Sequence, residues 1–168
     1  MLNKRGILIV VSGFSGAGKG TVMKRLMEKY SEAYALSVSM TTRGPRTGEI
    51  DGVHYFFVSR EQFEQNIAKD GFVEHAQYCG NYYGTPRAYV EKQLSEGKNV
   101  ILEIDVQGAF NVKKIFPETV LIFVLPPSME ELKKRLTERG REGTESIQNR
   151  MEVAKQELEL AAQYNYVI

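Results

Sequence analysis

An α/β fold built on a parallel sheet is predicted for this 168-residue chain by three features of its sequence. Apolar runs at Ile7–Ser12, Asn99–Asp105 and Val120–Leu125 read as strands covered on both faces. Helical patterns lie between these runs, a spacing that implies right-handed βαβ crossovers. Residues 37–84 interrupt the alternation; rich in Gly, Tyr and Phe, they read as short antiparallel strands inserted into the α/β core.

The elements follow in order. After the first strand and a glycine-dense turn, Lys19–Glu28 reads as a helix with Val22, Leu26 and Met27 on one face. Ser59-Arg60-Glu61-Gln62 and Ser128-Met129-Glu130-Glu131 fit the capping box, in which a hydroxyl and a later Glu or Gln satisfy the free N–H groups of a helix start. The pairs Phe63/Ile67 and Leu132/Leu136 supply the i, i+4 apolar contacts behind them. Thr85-Pro86 resembles a further start, with Thr as N-cap and Pro in the first turn. Gln107–Ile115 can be helical with Ala109, Val112 and Ile115 or Phe116 inward, and Thr144 can open a long last helix carrying Ile147, Met151, Leu158 and Ala162.

Composition narrows the class. A chain of this length suits one domain over 1–168 and can bury an adequate core without staples. Lys plus Arg number 22 and Asp plus Glu 21, a net charge of +1 that argues against nucleic-acid binding. Cys79 is the lone cysteine and suits a reducing, cytoplasmic compartment. No apolar run approaches the ~20 residues that cross a bilayer, and Lys4-Arg5 before Ile7–Val11 is too short a pattern for a signal peptide. Neither His54 nor His75 has metal-ligand spacing, so no protein-held metal site is expected.

Gly13-Phe14-Ser15-Gly16-Ala17-Gly18-Lys19-Gly20-Thr21 is the most informative stretch. It lies between a strand and a helix, and its glycines let backbone N–H groups turn inward on a polyphosphate. The helix N-terminus adds partial positive charge, and Lys19 reaches the outer phosphates. This is the P-loop pattern, except that Gly20 stands where a Ser or Thr hydroxyl would bind Mg²⁺. The ion is then expected on phosphates and water, with Thr21 helping if the helix start allows. Glu103 and Asp105, two apart on one strand face, are the expected acids of the second half, Asp105 being nearer the sheet's carboxyl edge.

A second anion site is suggested by Arg43-Gly44-Pro45-Arg46, where a rigid bend holds two guanidinium groups suited to bidentate phosphate grips. With the surrounding motifs, Ser39-x-Thr41-Thr42-Arg43-x-Pro45-Arg46-x-Gly48-Glu49, Gly52-x-x-Tyr55-x-Phe57-Val58, Asn81-Tyr82-Tyr83-Gly84-Thr85 and Glu103-Ile104-Asp105-Val106-Gln107-Gly108, the chain resembles the guanylate kinase family from Gly6 to Ile168. That resemblance implies a P-loop three-layer fold, a GMP-binding insertion over 37–90 and a helical lid over 128–150. It implies transfer of the ATP γ-phosphoryl group to GMP, giving ADP and GDP, with Mg²⁺, in a monomer or homodimer.

Residue by residue, it implies that Arg43, Arg46, Tyr55 and Tyr83 hold the GMP phosphate, and that Glu74, Ser39 and Thr85 bind guanine. The chemistry agrees for Glu74, because a carboxylate accepts from guanine N1–H and N2–H₂ and adenine offers neither donor. Thr85 stays open between capping a helix and reading the base. Arg135, Arg139 and Arg150 are implied to approach the transferring phosphoryl from the lid, with Lys19, Arg43 and Asp105 completing the catalytic set and Glu103 at the substrates. The resemblance also implies a further strand and closing helix beyond Ile168. The rival readings are adenylate kinase, which shares Gly18-Lys19-Gly20-Thr21, and a non-catalytic scaffolding domain that binds phosphorylated partners.

Overall fold

The computed structural model describes residues 5–78, 80–138 and 144–168. β1 (Leu8–Gly13), β2 (Tyr34–Leu36), β7 (Asn99–Glu103), β8 (Val120–Val124) and β9 (Tyr166–Val167) form one parallel sheet in the order β2-β7-β1-β8-β9. Val10, Val100, Leu102 and Phe123 are fully buried, as continuous apolar strands between helical layers require. The helices are α1 (Lys19–Tyr30), α2 (Arg60–Ala68), α3 (Arg87–Ser95), α4 (Val106–Ile115), α5 (Met129–Glu138) and α6 (Thr144–Leu160). α1 runs from β1 to β2, and α4 from β7 to β8, so both turns that open these helices fall at the carboxyl edge of the sheet.

Residues 40–86 form a second sheet, β4-β3-β6-β5, from β3 (Met40–Thr41), β4 (Phe56–Phe57), β5 (Phe72–Tyr78) and β6 (Asn81–Pro86). β6 is antiparallel to both β3 and β5, as expected, but β4 joins β3 in parallel. The excursion over 42–55 is long enough to carry the chain back before it pairs again. α2 clamps this sheet through Phe63, which is fully buried and stacks between Phe72 (4.4 Å) and Tyr82 (5.2 Å). Its capping box forms as predicted, with Ser59 Oγ accepting from Gln62 N and the Gln62 side chain accepting from Ser59 N.

Several local expectations shift. α1 buries Met23 rather than Val22, which is 38% exposed, because the strand-side face of the helix is one residue out of phase with the predicted stripe. Ile115 is likewise exposed, and Phe116 packs on the core in its place. α3 begins at Arg87 with Pro86 as its cap residue; Thr85 is not the N-cap, because β5–β6 pairing holds it extended opposite Glu74. β7 ends at Glu103, so Asp105 lies past the strand and caps α4, accepting from Gly108 N at 2.7 Å. On α6 Ile147 and Met151 pack against the core as expected, joined by the buried Ala154 and, in the turn after the helix, Ala161, whereas Leu158 is 42% exposed and Ala162 faces out. After α6 the chain returns as β9, a two-residue edge strand, and Asn165 Oδ1 accepts from Leu121 N. Among the described residues no helix is long and apolar enough to cross a membrane.

Candidate active site

The phosphate loop is built by backbone. Gly13 ends β1 with φ +141°, and a Cβ there would stand 2.2 Å from the Val124 carbonyl oxygen, so only glycine lets β8 close on the loop. Gly16 and Gly18 take left-handed φ values of +94° and +108°, turning successive peptide groups toward one concavity. Phe14 and Ala17 are buried and anchor the loop from beneath, Phe14 edge-on to Phe123 at 5.4 Å. Lys19 Nζ donates to the carbonyls of Gly13 (2.7 Å) and Phe14 (3.2 Å), which places the ammonium across the mouth of the loop. Ser15, Gly16, Gly18, Lys19, Gly20 and Thr21 line a cavity of about 430 Å³, and Glu103 forms its opposite wall.

Of the two acids on the 103–105 segment, Glu103 is therefore the one that faces the phosphate cavity. The sequence favours Asp105 because it lies nearer the carboxyl edge. The early end of β7 gives it to the α4 cap instead. A second cavity, about 660 Å³, lies on the outer side of the loop against Val22, Leu125 and Pro127. Nothing in the sequence marks this apolar wall; the exposure of Val22 is its signature.

Cations from α5 and α6 reach the loop directly. Arg135 Nη1 donates to Ala17 O at 3.1 Å while its Nε donates to Glu131, and Arg150 Nη1 donates to Ser15 Oγ at 2.8 Å. Two elements remote in sequence thus bring guanidinium groups to one edge of the cradle. Arg139 lies outside the described residues.

The second anion pocket is built by side chains. Arg43 Nη1 and Nη2 donate to both carboxylate oxygens of Glu49 (2.9 and 2.8 Å), and Nη1 donates also to Gly44 O. Three of the five guanidinium N–H groups are thereby used. Arg43 is not an open grip. Its rigidity comes from this pairing, with the Tyr55 ring 5.4 Å beneath it and Tyr83 edge-on to Tyr55 at 6.1 Å. Glu49 is held down to about 2 by the Arg43 hydrogen bond first and by the Arg46 N–H second. Arg46 is fixed at its backbone and keeps its side chain exposed. Glu49, part of the motif but without an expected role, is the residue that sets Arg43; the signal was a carboxylate six positions on, across a Gly-Pro bend.

On the neighbouring β5–β6 pair Thr85 Oγ1 donates to Glu74 Oε1 at 2.8 Å, which joins the two expected base readers instead of setting them apart. Burial pushes the Glu74 carboxyl above the usual carboxylate range; the Thr85 hydrogen bond opposes this and the Asp105 charge adds to it. Ser39 sits at the edge of β3, where its carbonyl accepts from Phe56 N. The Asp105 charge likewise acts on the Glu157 carboxyl of α6, which burial pushes up and the Lys19 charge draws down.

Known proteins match the chain along its whole length. A family model described as guanylate kinase matches residues 5–168. The chain is 57% identical over 166 residues to a guanylate kinase of Clostridium perfringens, spanning 99% of this chain and 76% of that one. It is 54% identical over 168 residues to a guanylate kinase of Bacillus anthracis, spanning 100% of this chain and 82% of the relative. The crystal structure of guanylate kinase from Anaplasma phagocytophilum superposes with a TM-score of 0.74 at 37% identity, covering 100% of this chain and 78% of that one. A glycine-built phosphate loop, an arginine–tyrosine cluster on the inserted sheet and sequence identity along nearly the whole chain all agree: this chain belongs to the guanylate kinase family.

Proposed function

We propose that the chain transfers the γ-phosphoryl group of ATP to GMP, giving ADP and GDP by direct in-line displacement. The observation that carries this reading is the hydrogen-bonded Glu74–Thr85 pair on the same β5–β6 hairpin as Tyr83, whose ring stands against the Arg43–Tyr55 pair. A carboxylate accepts from both donors on the guanine edge, and leaving it facing adenine would strand a buried acceptor. An oxygen of the GMP phosphate attacks the γ-phosphorus, the bond to the β-bridging oxygen breaks, and ADP keeps that oxygen. Such a loose transition state needs positioning and charge neutralisation more than proton transfer. Lys19 and the loop amides hold the donor, Arg43 and Arg46 the acceptor, and Arg135 and Arg150 meet the equatorial oxygens from the lid. ATP would lay its adenine against Val22, Leu125 and Pro127.

The residues also fit Mg²⁺. Thr21 and Glu103 both line the phosphate cavity and offer hard oxygen donors. Among the described residues no three His, Cys, Asp or Glu side chains form a cage of their own, which suits an ion that takes most of its ligands from phosphates and water. Held there, the ion would neutralise phosphate charge as the phosphoryl group is transferred. We place the protein in the cytoplasm, where its substrates and its lone cysteine both belong.

An ADP-release assay across GMP, AMP, UMP and dTMP tests the proposal. Turnover with GMP at least about 10²-fold above the other acceptors is expected. Preference for AMP would return the adenylate kinase reading, and no turnover with any acceptor would return the scaffolding one.

A further inference from the structure

β3 ends where the chain leaves the inserted sheet for the excursion over 42–55. Its last residue, Thr41, pairs with Tyr83 of β6 on one side and with Phe57 of β4 on the other. The side chain is fully buried, so its hydroxyl must find partners inside the protein. It finds two. Thr41 Oγ1 donates to the Tyr82 carbonyl at 2.9 Å and accepts from the Arg43 N–H at 3.2 Å.

A Thr oxygen that accepts from the N–H two residues on bends the chain out of its strand. Here the bend begins at Arg43, and the same hydroxyl ties it to the peptide between Tyr82 and Tyr83. Thr42 adds a second stitch to Tyr82, its Oγ1 accepting from Tyr82 N at 2.9 Å and its N–H donating to Tyr82 O at 3.2 Å. The Arg43 backbone is thus registered on β6, whose Tyr83 ring stands edge-on to the Tyr55 ring beneath the guanidinium. Glu49 fixes the other end of the same side chain.

We infer that Thr41 is a positioning residue whose buried hydroxyl sets the Arg43 backbone against β6 and so determines how tightly the GMP phosphate is gripped. The inference rests on the kinase reading above and deepens its acceptor site. Thr41 itself touches no substrate, because none of it reaches the surface. A bidentate grip needs its donors within about 0.5 Å of the right place, so the backbone end of Arg43 must be held as firmly as the head group. A threonine that only packed the sheet would act through its methyl and its β-branch, not through its oxygen.

Two substitutions separate the oxygen from the shape. Thr41→Val keeps the shape and removes both hydrogen bonds, while the Tyr82 carbonyl retains the Thr42 N–H as a partner. Thr41→Ser keeps the hydroxyl and loses the methyl. Calorimetric titration should show GMP binding about tenfold weaker for Thr41→Val, and within about twofold of the unsubstituted chain for Thr41→Ser. ADP binding should stay constant in both. Arg43→Lys removes the fork that Thr41 serves, so adding Thr41→Val to it should weaken GMP binding by less than about twofold more. Normal GMP binding by Thr41→Val, weaker binding by Thr41→Ser than by Thr41→Val, a matching loss of ADP binding, or the full tenfold loss in the Arg43→Lys background overturns the inference alone. If the unsubstituted chain binds no GMP, the kinase reading falls and this inference falls with it.

Discussion

Between Gly13 and Lys19 the anion site is made of peptide N–H groups and one ammonium, whereas from Arg43 to Thr85 it is made of side chains that hold one another. The first is shaped by exclusion: a Cβ at Gly13 has no room beside Val124, so glycine alone lets the strand close on the cradle. The second is preformed by pairing, Arg43 with Glu49 and Thr85 with Glu74. Backbone amides cannot be rearranged by a neighbour. Paired side chains can, and a phosphate or a base must share their hydrogen bonds with the residues that already use them. The donor pocket is accordingly robust and tolerant of the nucleotide it serves, and the acceptor pocket carries the selectivity.

Substitutions can break this contrast at either end. Lys19→Ala removes the one side-chain charge of the cradle and should cost about 10³-fold in turnover, the upper range for deleting a preorganised charge on a transition state. GMP binding, measured by calorimetry, should change by less than about twofold, since its pocket does not use Lys19. Comparable losses in both would mean that the pockets are not separable.

Glu74→Gln should raise KM for GMP by about 10²-fold, because the amide offers a donor where guanine needs an acceptor, and should leave KM for ATP unaltered. The same residue predicts a pH effect. Its carboxyl is raised above the usual range, so as pH falls it protonates before an ordinary glutamate and stops accepting from guanine. KM for GMP should therefore climb on the acid side earlier than carboxylates normally titrate, and Glu74→Gln should flatten that limb. The sign for stability is opposite. A carboxyl raised in the folded state disfavours folding while charged, and this cost fades as pH drops through its shifted value. Glu49 differs, since its depressed value of about 2 keeps the Arg43 clamp intact throughout that window.

The smallest effect belongs to the cradle. Nothing lies within 4 Å of a Cβ built on Gly20, and its φ is not positive. Gly20→Ser should raise the melting temperature by about 1–2 °C through better helix propensity and leave metal-free nucleotide affinity within about twofold. A larger loss of affinity would show that the cradle depends on its side chains after all.

What could be read from the amino acids alone is what depends on near neighbours in the chain. The strand–loop–helix around Gly13–Thr21, the capping box at Ser59 and the alternation of buried strands with helices all rest on contacts a few residues apart. Their geometry is local, so spacing suffices to predict it. Tertiary structure alone decided which acid lines the phosphate cavity: β7 ends at Glu103, which lines it, while Asp105 gives one oxygen to the α4 cap and its charge still acts on Glu74. It also decided that Thr85 pairs with Glu74 and that Arg150 meets Ser15 from 135 positions away. Those contacts depend on how packed elements bring distant side chains together, and no periodicity in the sequence encodes that distance.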